Sequence, residues 1–187
     1  MSKKLAADIK WFEVQAYSGS SNLWALLEWQ GYGSRDWEGI DPDSPRGRQS
    51  PWHDGGINDL IADGRFEEVD VQFWYKQSGS GMKLRDLVWT TGPSIVASTG
   101  FIETLRSIRA TGWVAKETEL RLKNGDVLTG WWSFAATSTS DTDDIRCLLN
   151  QPNFAFRMKP HVLEALRAAG HADFESRVFN SSVYEEL

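Results

Sequence analysis

Apolar residues change their spacing along this chain, and each change marks an element. In GPSIVASTGFIETLRSIRATGWVAKETELRL, residues 92–122, the unbroken run Ile95 to Ala97 reads as a short buried strand. Phe101, Leu105 and Ile108 then fall at i, i+4 and i+7, one apolar stripe of a helix. Thr99 or Gly100 can cap that helix, Glu103 lies near the positive end of its dipole, and Gly112 supplies a left-handed stop before the next strand. QPNFAFRMKPHVLEALRAAGHADFESRVFN, residues 151–180, repeats the pattern. It offers a strand over Phe154 to Phe156, Pro160 at the first helical position, a stripe of Val162, Leu163 and Leu166, and a stop at Gly170. Aligning Gly112 with Gly170 also superposes Ala97 on Ala155, Arg109 on Arg167, Ala110 on Ala168 and Glu117 on Glu175. The pattern predicts two similar strand-helix-strand units and leaves duplication open.

Between the units, ETELRLKNGDVLTGWWSFA places Asn124-Gly125 between two extended runs, a strong hairpin signal. With a two-residue turn, Leu120, Leu122, Val127 and Trp131 share one face, and Leu128, Trp132 and Phe134 share the other. The second strand is then apolar on both faces. Either it is central and covered on both sides, or one of Trp131 and Trp132 faces outward as a binding surface.

Upstream, KWFEVQAY (10–17) and LWALLEW (23–29) flank the turn-forming SGSSN and predict a first antiparallel pair, although the second segment also fits a short helix. INDLIADG predicts one or two helical turns closed by Gly64, VDVQFWYK a strand, and LRDLVWTTG either a strand or a helical turn. Residues 30–56 crowd Gly, Asp, Pro, Ser and Arg around Trp37 and Trp52, a long loop of the kind that carries recognition in compact domains. The fold expected is one α+β domain over 1–187, with a strand-rich part over 1–90 and two strand-helix-strand units around a hairpin over 91–187. Both units are expected to pack on a mixed, mostly antiparallel sheet.

Composition changes this picture in three respects. A chain of 187 residues, 41% hydrophobic and 25% charged, has the make-up of a globular domain and can bury roughly 70% of its unfolded surface. With 20 Lys and Arg against 26 Asp and Glu, the net charge of -6 repels nucleic-acid phosphates and steers toward basic partners. Cys147 is the sole cysteine, so no intrachain disulfide forms, and MSKKLAADIKWFEV carries no apolar signal-peptide run; no segment approaches a membrane span. A cytoplasmic protein that binds neither nucleic acid nor membrane is expected.

Candidate chemistry is sparse. PWHDGG, residues 51–56, pairs His53 with Asp54 as a possible general base and its neighbour, although adjacent residues seldom present their side chains to each other. TSTSDTDDIR clusters Asp141, Asp143 and Asp144 without the ligand pattern of a calcium loop, and fits a helix start at Thr139 or Ser140 with acids at the positive dipole end, or an acidic patch facing a partner. His161 and His171 stand at opposite ends of the second helix, too far apart to share a metal, and nothing near Cys147 marks it as a nucleophile. No phosphate loop, nucleophile elbow or zinc pattern occurs, so no cofactor and no metal is expected.

Ten tryptophans are the unusual feature, and most are expected in the core. Trp37 and Trp52 differ, because they lie in the long loop beside Asp36, Glu38, Asp41, Asp43 and Asp54, the aromatic anchor and charged rim of an interface.

DLVWTTGPSIVASTGFIETLRSIRATGWVAKETELRLKNGDVLTGWWSFAATS resembles a recurrent segment of immunity proteins encoded beside bacterial polymorphic toxins, and VLEALRAAGHADFE resembles their closing segment. The likeness runs from Asp86 onward and rests on apolar periodicity with Thr111, Gly112, Trp113 and Gly130; the N-terminal part and its long loop lie outside it. It implies an α+β protein that neutralises one cognate toxin by occlusion and is not an enzyme. The family's motif fixes no toxin-contacting residue. The contact set expected from the residues themselves is Asp36, Trp37, Glu38, Asp41, Asp43, Trp52, Asp54, Trp132, Asp141, Asp143 and Asp144. Two other classes compete: a small enzyme using His53 with Asp54 or the Asp141 cluster, and a carbohydrate-binding module built on tryptophan.

Overall fold

The computed structural model describes residues 11–30, 47, 55–92, 94–148 and 155–179. The protein is α+β and mostly strand. Its strands are β1 (Phe12–Gln15), β2 (Trp24–Trp29), β3 (Phe73–Ser78), β4 (Leu87–Thr90), β5 (Ile95–Ser98), β6 (Trp113–Arg121), β7 (Val127–Ala136), β8 (Ile145–Cys147), β9 (Ala155–Met158) and β10 (Glu175–Val178). The helices are α1 (Ile57–Ala62), α2 (Thr99–Ser107) and α3 (Pro160–Ala168), with a 3-10 turn over Phe66–Glu68. Six strands close into a barrel in the order β2-β3-β6-β7-β5-β4, and four form a separate sheet in the order β10-β1-β9-β8. The barrel is antiparallel except where β2 meets β4 and β3 meets β6.

Each sheet face is set by the period-two alternation of its strands. Ala25, Leu27 and Trp29 of β2, Tyr75 of β3, Val88 of β4, Val96 of β5 and Leu120 of β6 fill the barrel, joined by Ile57, Leu60 and Ile61 of α1. A second core lies outside the barrel wall, where Ile95, Ala97 and Phe134 meet Phe101, Ile102 and Leu105 of α2, Val162, Leu163 and Leu166 of α3, and Val14, Phe156 and Met158 of the four-stranded sheet. Phe134 is its centre: its ring lies 5.7 Å from Phe101, 5.1 Å from Phe156 and 5.9 Å from Trp113. Losing such a ring to alanine costs about 3–5 kcal/mol.

The hairpin between β6 and β7 differs from the two-residue turn expected at Asn124-Gly125. Leu122 N donates to Asp126 O and Gly125 N to Leu122 O, and Gly125 has φ +96, so the loop has three residues and ends in a left-handed glycine. That shifts the pairing by one: Leu120 faces Leu128, and Val127 is exposed. A bulge between Thr118 and Leu120, with Gly130 at φ +79, then adds a residue to β7 and restores the expected sides for Trp131 and Trp132. Trp131, Ser133 and Ala135 point into the barrel, while Trp132, Phe134 and Ala136 face the second core. From Trp131 to Ala136, β7 is a central strand covered on both sides.

The two strand-helix-strand segments lie in different sheets rather than on one. In β5-α2-β6 the two strands flank β7, and in β9-α3-β10 they flank β1, so each pair is split by an antiparallel partner. The sequence alignment through Gly112 is corrected by the helix ends. Ser98, not Thr99 or Gly100, caps α2 by accepting from Phe101 N. α2 stops at Arg109, φ +55, where Ala110 N donates to Leu105 O and Arg109 N to Arg106 O. In α3, His171 N donates to Leu166 O and Gly170 N to Arg167 O, the same double bond around a left-handed residue. The counterpart of Gly170 is therefore Arg109, three residues before Gly112. Ile108, expected on the buried stripe, is 37% exposed, and Ile102 takes its place.

Three other expectations change. LWALLEW and LRDLVWTTG both resolve as strands, β2 and β4. β1 does not pair with β2; Val14 belongs to the second core, so β1 is drawn between β9 and β10. In VDVQFWYK the strand begins only at Phe73.

Arg109 pays a steric penalty that glycine avoids, so Arg109→Gly is expected to stabilise the protein by about 1 kcal/mol in urea denaturation. Gly112→Ala is expected to destabilise it by about 2 kcal/mol or more, since φ is +87 and an added Cβ would lie 2.0 Å from Ile145 O.

Candidate functional site

Among the residues expected to meet a partner, Asp36, Trp37, Glu38, Asp41, Asp43, Trp52 and Asp54 lie outside the described residues, as does His53. The aspartate cluster is described and differs from the helix start expected for it. Residues 141–144 form a turn that leads directly into β8. Asp143 accepts from the Ser138 hydroxyl, and Asp144 Oδ2 accepts from Thr111 N at 3.2 Å and Thr111 Oγ1 at 3.3 Å. Lys159 Nζ donates to Thr142 O at 2.8 Å and approaches Asp144 Oδ1 at 3.4 Å, as does His161 Nε2. The turn thus fastens the start of β6 to β8 and the start of α3, which joins the barrel to the four-stranded sheet. Asp141 pairs with Arg146 and keeps 72% of its side chain exposed. No group of three or more His, Cys, Asp and Glu among the described residues is placed to hold a metal ion.

Trp132 is half-buried on the outer face of β7. Its Nε1 donates to Thr99 Oγ1 at 3.1 Å, Arg106 lies 4.4 Å from its ring centre, and it faces Glu117 across the ladder. The barrel's outer face carries three further tryptophans, against the expectation that most of the ten sit in the core. Trp24 of β2 and Trp89 of β4 pair in register with ring centres 4.8 Å apart. Trp74 of β3 donates to Glu28 Oε2 at 3.2 Å and holds the Arg121 guanidinium 4.0 Å from its ring centre. All four are half-buried, as is Trp113, whereas Trp11, Trp29 and Trp131 are buried. In WALLEW both alternating positions include a tryptophan, so only the register Trp24↔Ser78 and Trp29↔Phe73 tells which side each ring takes.

Other polar clusters are occupied by structural work. Ser98, Asp86 and His171 have the residue types of a hydrolytic triad, but Ser98 Oγ donates to Asp86 Oδ1 at 2.8 Å and His171 Nδ1 lies 3.4 Å from that same oxygen. The carboxylate stands between hydroxyl and imidazole, which is not the order of a triad, where the imidazole bonds the hydroxyl directly. Asp86 also accepts from Asp173 N at 2.9 Å, which ties the chain beyond α3 to the start of α2. Inside the barrel, Tyr75 bonds Ser94 and Ser133, and burial raises its phenol to about 12 against the opposing pull of both hydroxyls. On the outer face of the four-stranded sheet, Glu13 is 4% exposed and accepts from Arg177 at 2.6 Å, at the edge of a polar cavity of about 440 Å³ that Gln15, Tyr17 and Glu175 also line.

The Ser138 hydroxyl holds the Asp143 carboxyl below its ordinary value of 3.8. A lowered folded value means that the stabilisation is complete above the unfolded pKa and fades as pH falls through the folded one. Ser138→Ala is therefore expected to raise the Asp143 pKa in a carboxyl-detected NMR titration and to lower stability at neutral pH more than at pH 2. Compared with protein-family models and with curated proteins, the chain matches none.

Proposed function

We propose that this protein is a cytoplasmic immunity protein that binds and neutralises a cognate bacterial toxin by covering its working surface. The observation that carries the reading is the set of half-buried tryptophans on the outer barrel strands, each held in place: Trp24 by Trp89, Trp74 by Arg121 and Glu28, and Trp132 by Arg106 and Thr99. Tryptophan and arginine are the residues that most often anchor protein interfaces, and rings already fixed by neighbours lose little rotamer freedom on binding. The segment that resembles immunity proteins supplies β4 to β7, so two of these rings, Trp89 and Trp132, lie in it, as does Arg121, which braces Trp74. β5-α2-β6 and β9-α3-β10 serve in this reading as two similar scaffold units. The net charge of -6 suits a cationic toxin and raises the association rate more than the affinity.

A carbohydrate-binding role is weakened by Arg121 and Arg106, which occupy ring faces that a sugar would need. Among the described residues no helix is long and apolar enough to cross a membrane.

Co-expression with the toxin encoded by the neighbouring gene is the test. A stable complex and restored growth are expected, with Trp74→Ala or Trp132→Ala each weakening the complex by about 2 kcal/mol, roughly thirtyfold in Kd by calorimetry. Persistent toxicity with no complex would overturn the reading.

A further inference from the structure

The four-stranded sheet has one edge engaged and one open. At β8, Ile145 N donates to Thr111 O and Cys147 N to Ser138 O, so that edge is joined to the start of β6 and the end of β7. At the opposite edge β10 pairs with β1 and with no second strand among the described residues. Edge strands that stay alone are commonly protected by a proline, a bulge or charges that repel a like strand. β10 has no proline, keeps unbroken register with β1 from Phe12↔Val178 to Gln15↔Glu175, and carries two charges of opposite sign, Glu175 and Arg177. Arg177 and Val178 are exposed, Val178 at 60%.

The direction of each main-chain group in β10 follows from one bond. Phe179 N donates to Trp11 O at 2.8 Å, so in this register residues 175, 177 and 179 turn their N–H and C=O groups toward β1. Ser176 and Val178 therefore turn theirs outward, to the open edge. The side chains alternate in step: Glu175 and Arg177 lie on the outer face with Glu13 and Gln15, and Ser176 and Val178 lie on the helix side with Val14.

Two identical strands paired antiparallel about a twofold axis normal to the sheet must set one residue opposite itself, because opposed side chains share a face. Among the residues whose main chain faces outward, Ser176 is the one that keeps such a pairing within the strand. With the axis there, Glu175 of each copy stands opposite Arg177 of the other, in the non-hydrogen-bonded pairs where side chains come closest. The exposed Val178 of each copy comes opposite Phe174 of the other.

We propose that two copies of this chain associate through β10 in this register, joining their four-stranded sheets into one continuous sheet. A second copy fits because the twofold matches both charges twice. Neither residue has to leave its present partner, Glu13 at 2.6 Å for Arg177 and Gln15 at 2.6 Å for Glu175, since guanidinium and carboxylate groups each bond several partners at once. The seam is short beside a standard interface of about 1,600 Å², so the association is reversible. The inference does not depend on the immunity reading.

Sedimentation velocity of the full chain over a range of concentrations is the test. The mass is expected to double as concentration rises. Ser176→Pro removes an outward N–H and no bond to β1, so it is expected to stay monomeric with a thermal midpoint near that of the unsubstituted chain. Glu175→Lys, which sets a lysine against Arg177 of the other copy, is expected to weaken association roughly fivefold, and it carries the test if Ser176→Pro loses its fold. On a Cys147→Ala background under mild oxidation, Ser176→Cys is expected to form a covalent dimer, since the opposed Cα atoms lie about 5.5 Å apart. Val178→Cys is expected to form none, because its two copies lie about 14 Å apart along the seam. A monomer at every concentration, association undiminished in both Ser176→Pro and Glu175→Lys, or cross-linking of Val178→Cys as readily as of Ser176→Cys would overturn the proposal.

Discussion

From Trp131 to Ala136 β7 is covered on both faces, and the rest of the molecule depends on that. Trp131, Ser133 and Ala135 close the barrel from within, while Trp132, Phe134 and Ala136 hold the helices and the second sheet against its wall. A strand in this position tolerates no register error, since a slip of one residue would exchange the two sets. The bulge at Gly130 sets the parity. It follows a three-residue turn that had already displaced the pairing by one, and the two irregularities together return each side chain to its layer.

The tryptophans of the barrel's outer face follow from the same alternation. Where strand interiors are packed, alternate residues must face outward, and on β2, β3, β4 and β7 those include Trp24, Trp74, Trp89 and Trp132. Exposed indoles would ordinarily sample several rotamers; here Arg121 and Arg106 stack on two of them and Trp24 braces Trp89. The carboxylates of Asp86 and Asp144 fasten the helical layer to the strands.

The sequence was legible where one local period dominates. α3, with Pro160, its stripe and Gly170, followed from spacing alone, as did the existence of the β6-β7 hairpin, while the alternation in β7 left open whether Trp131 or Trp132 faced outward. It was illegible where a long-range partner decides. β1 pairs with strands 140 or more residues away, so its neighbour SGSSN looked like a hairpin turn when it is a link between two sheets. Thr139 or Ser140 read as a helix cap, with the aspartates near residue 143 in its first turn, because short polar residues cap helices; Thr111 and Lys159, distant in sequence, claim Asp144 instead. Gly112 looked like a helix stop because a left-handed arginine is uncommon.

The claim that barrel and outer layers form one preformed unit through β7 is tested most directly by native-state hydrogen exchange. The amides of β7, of β2 and β3 beneath the tryptophans, and of β1 and β9 are expected to exchange only through global unfolding, with a common denaturant dependence. Exchange of the four-stranded sheet, or of β2 and β3, at a much lower free energy than β7 would contradict the account.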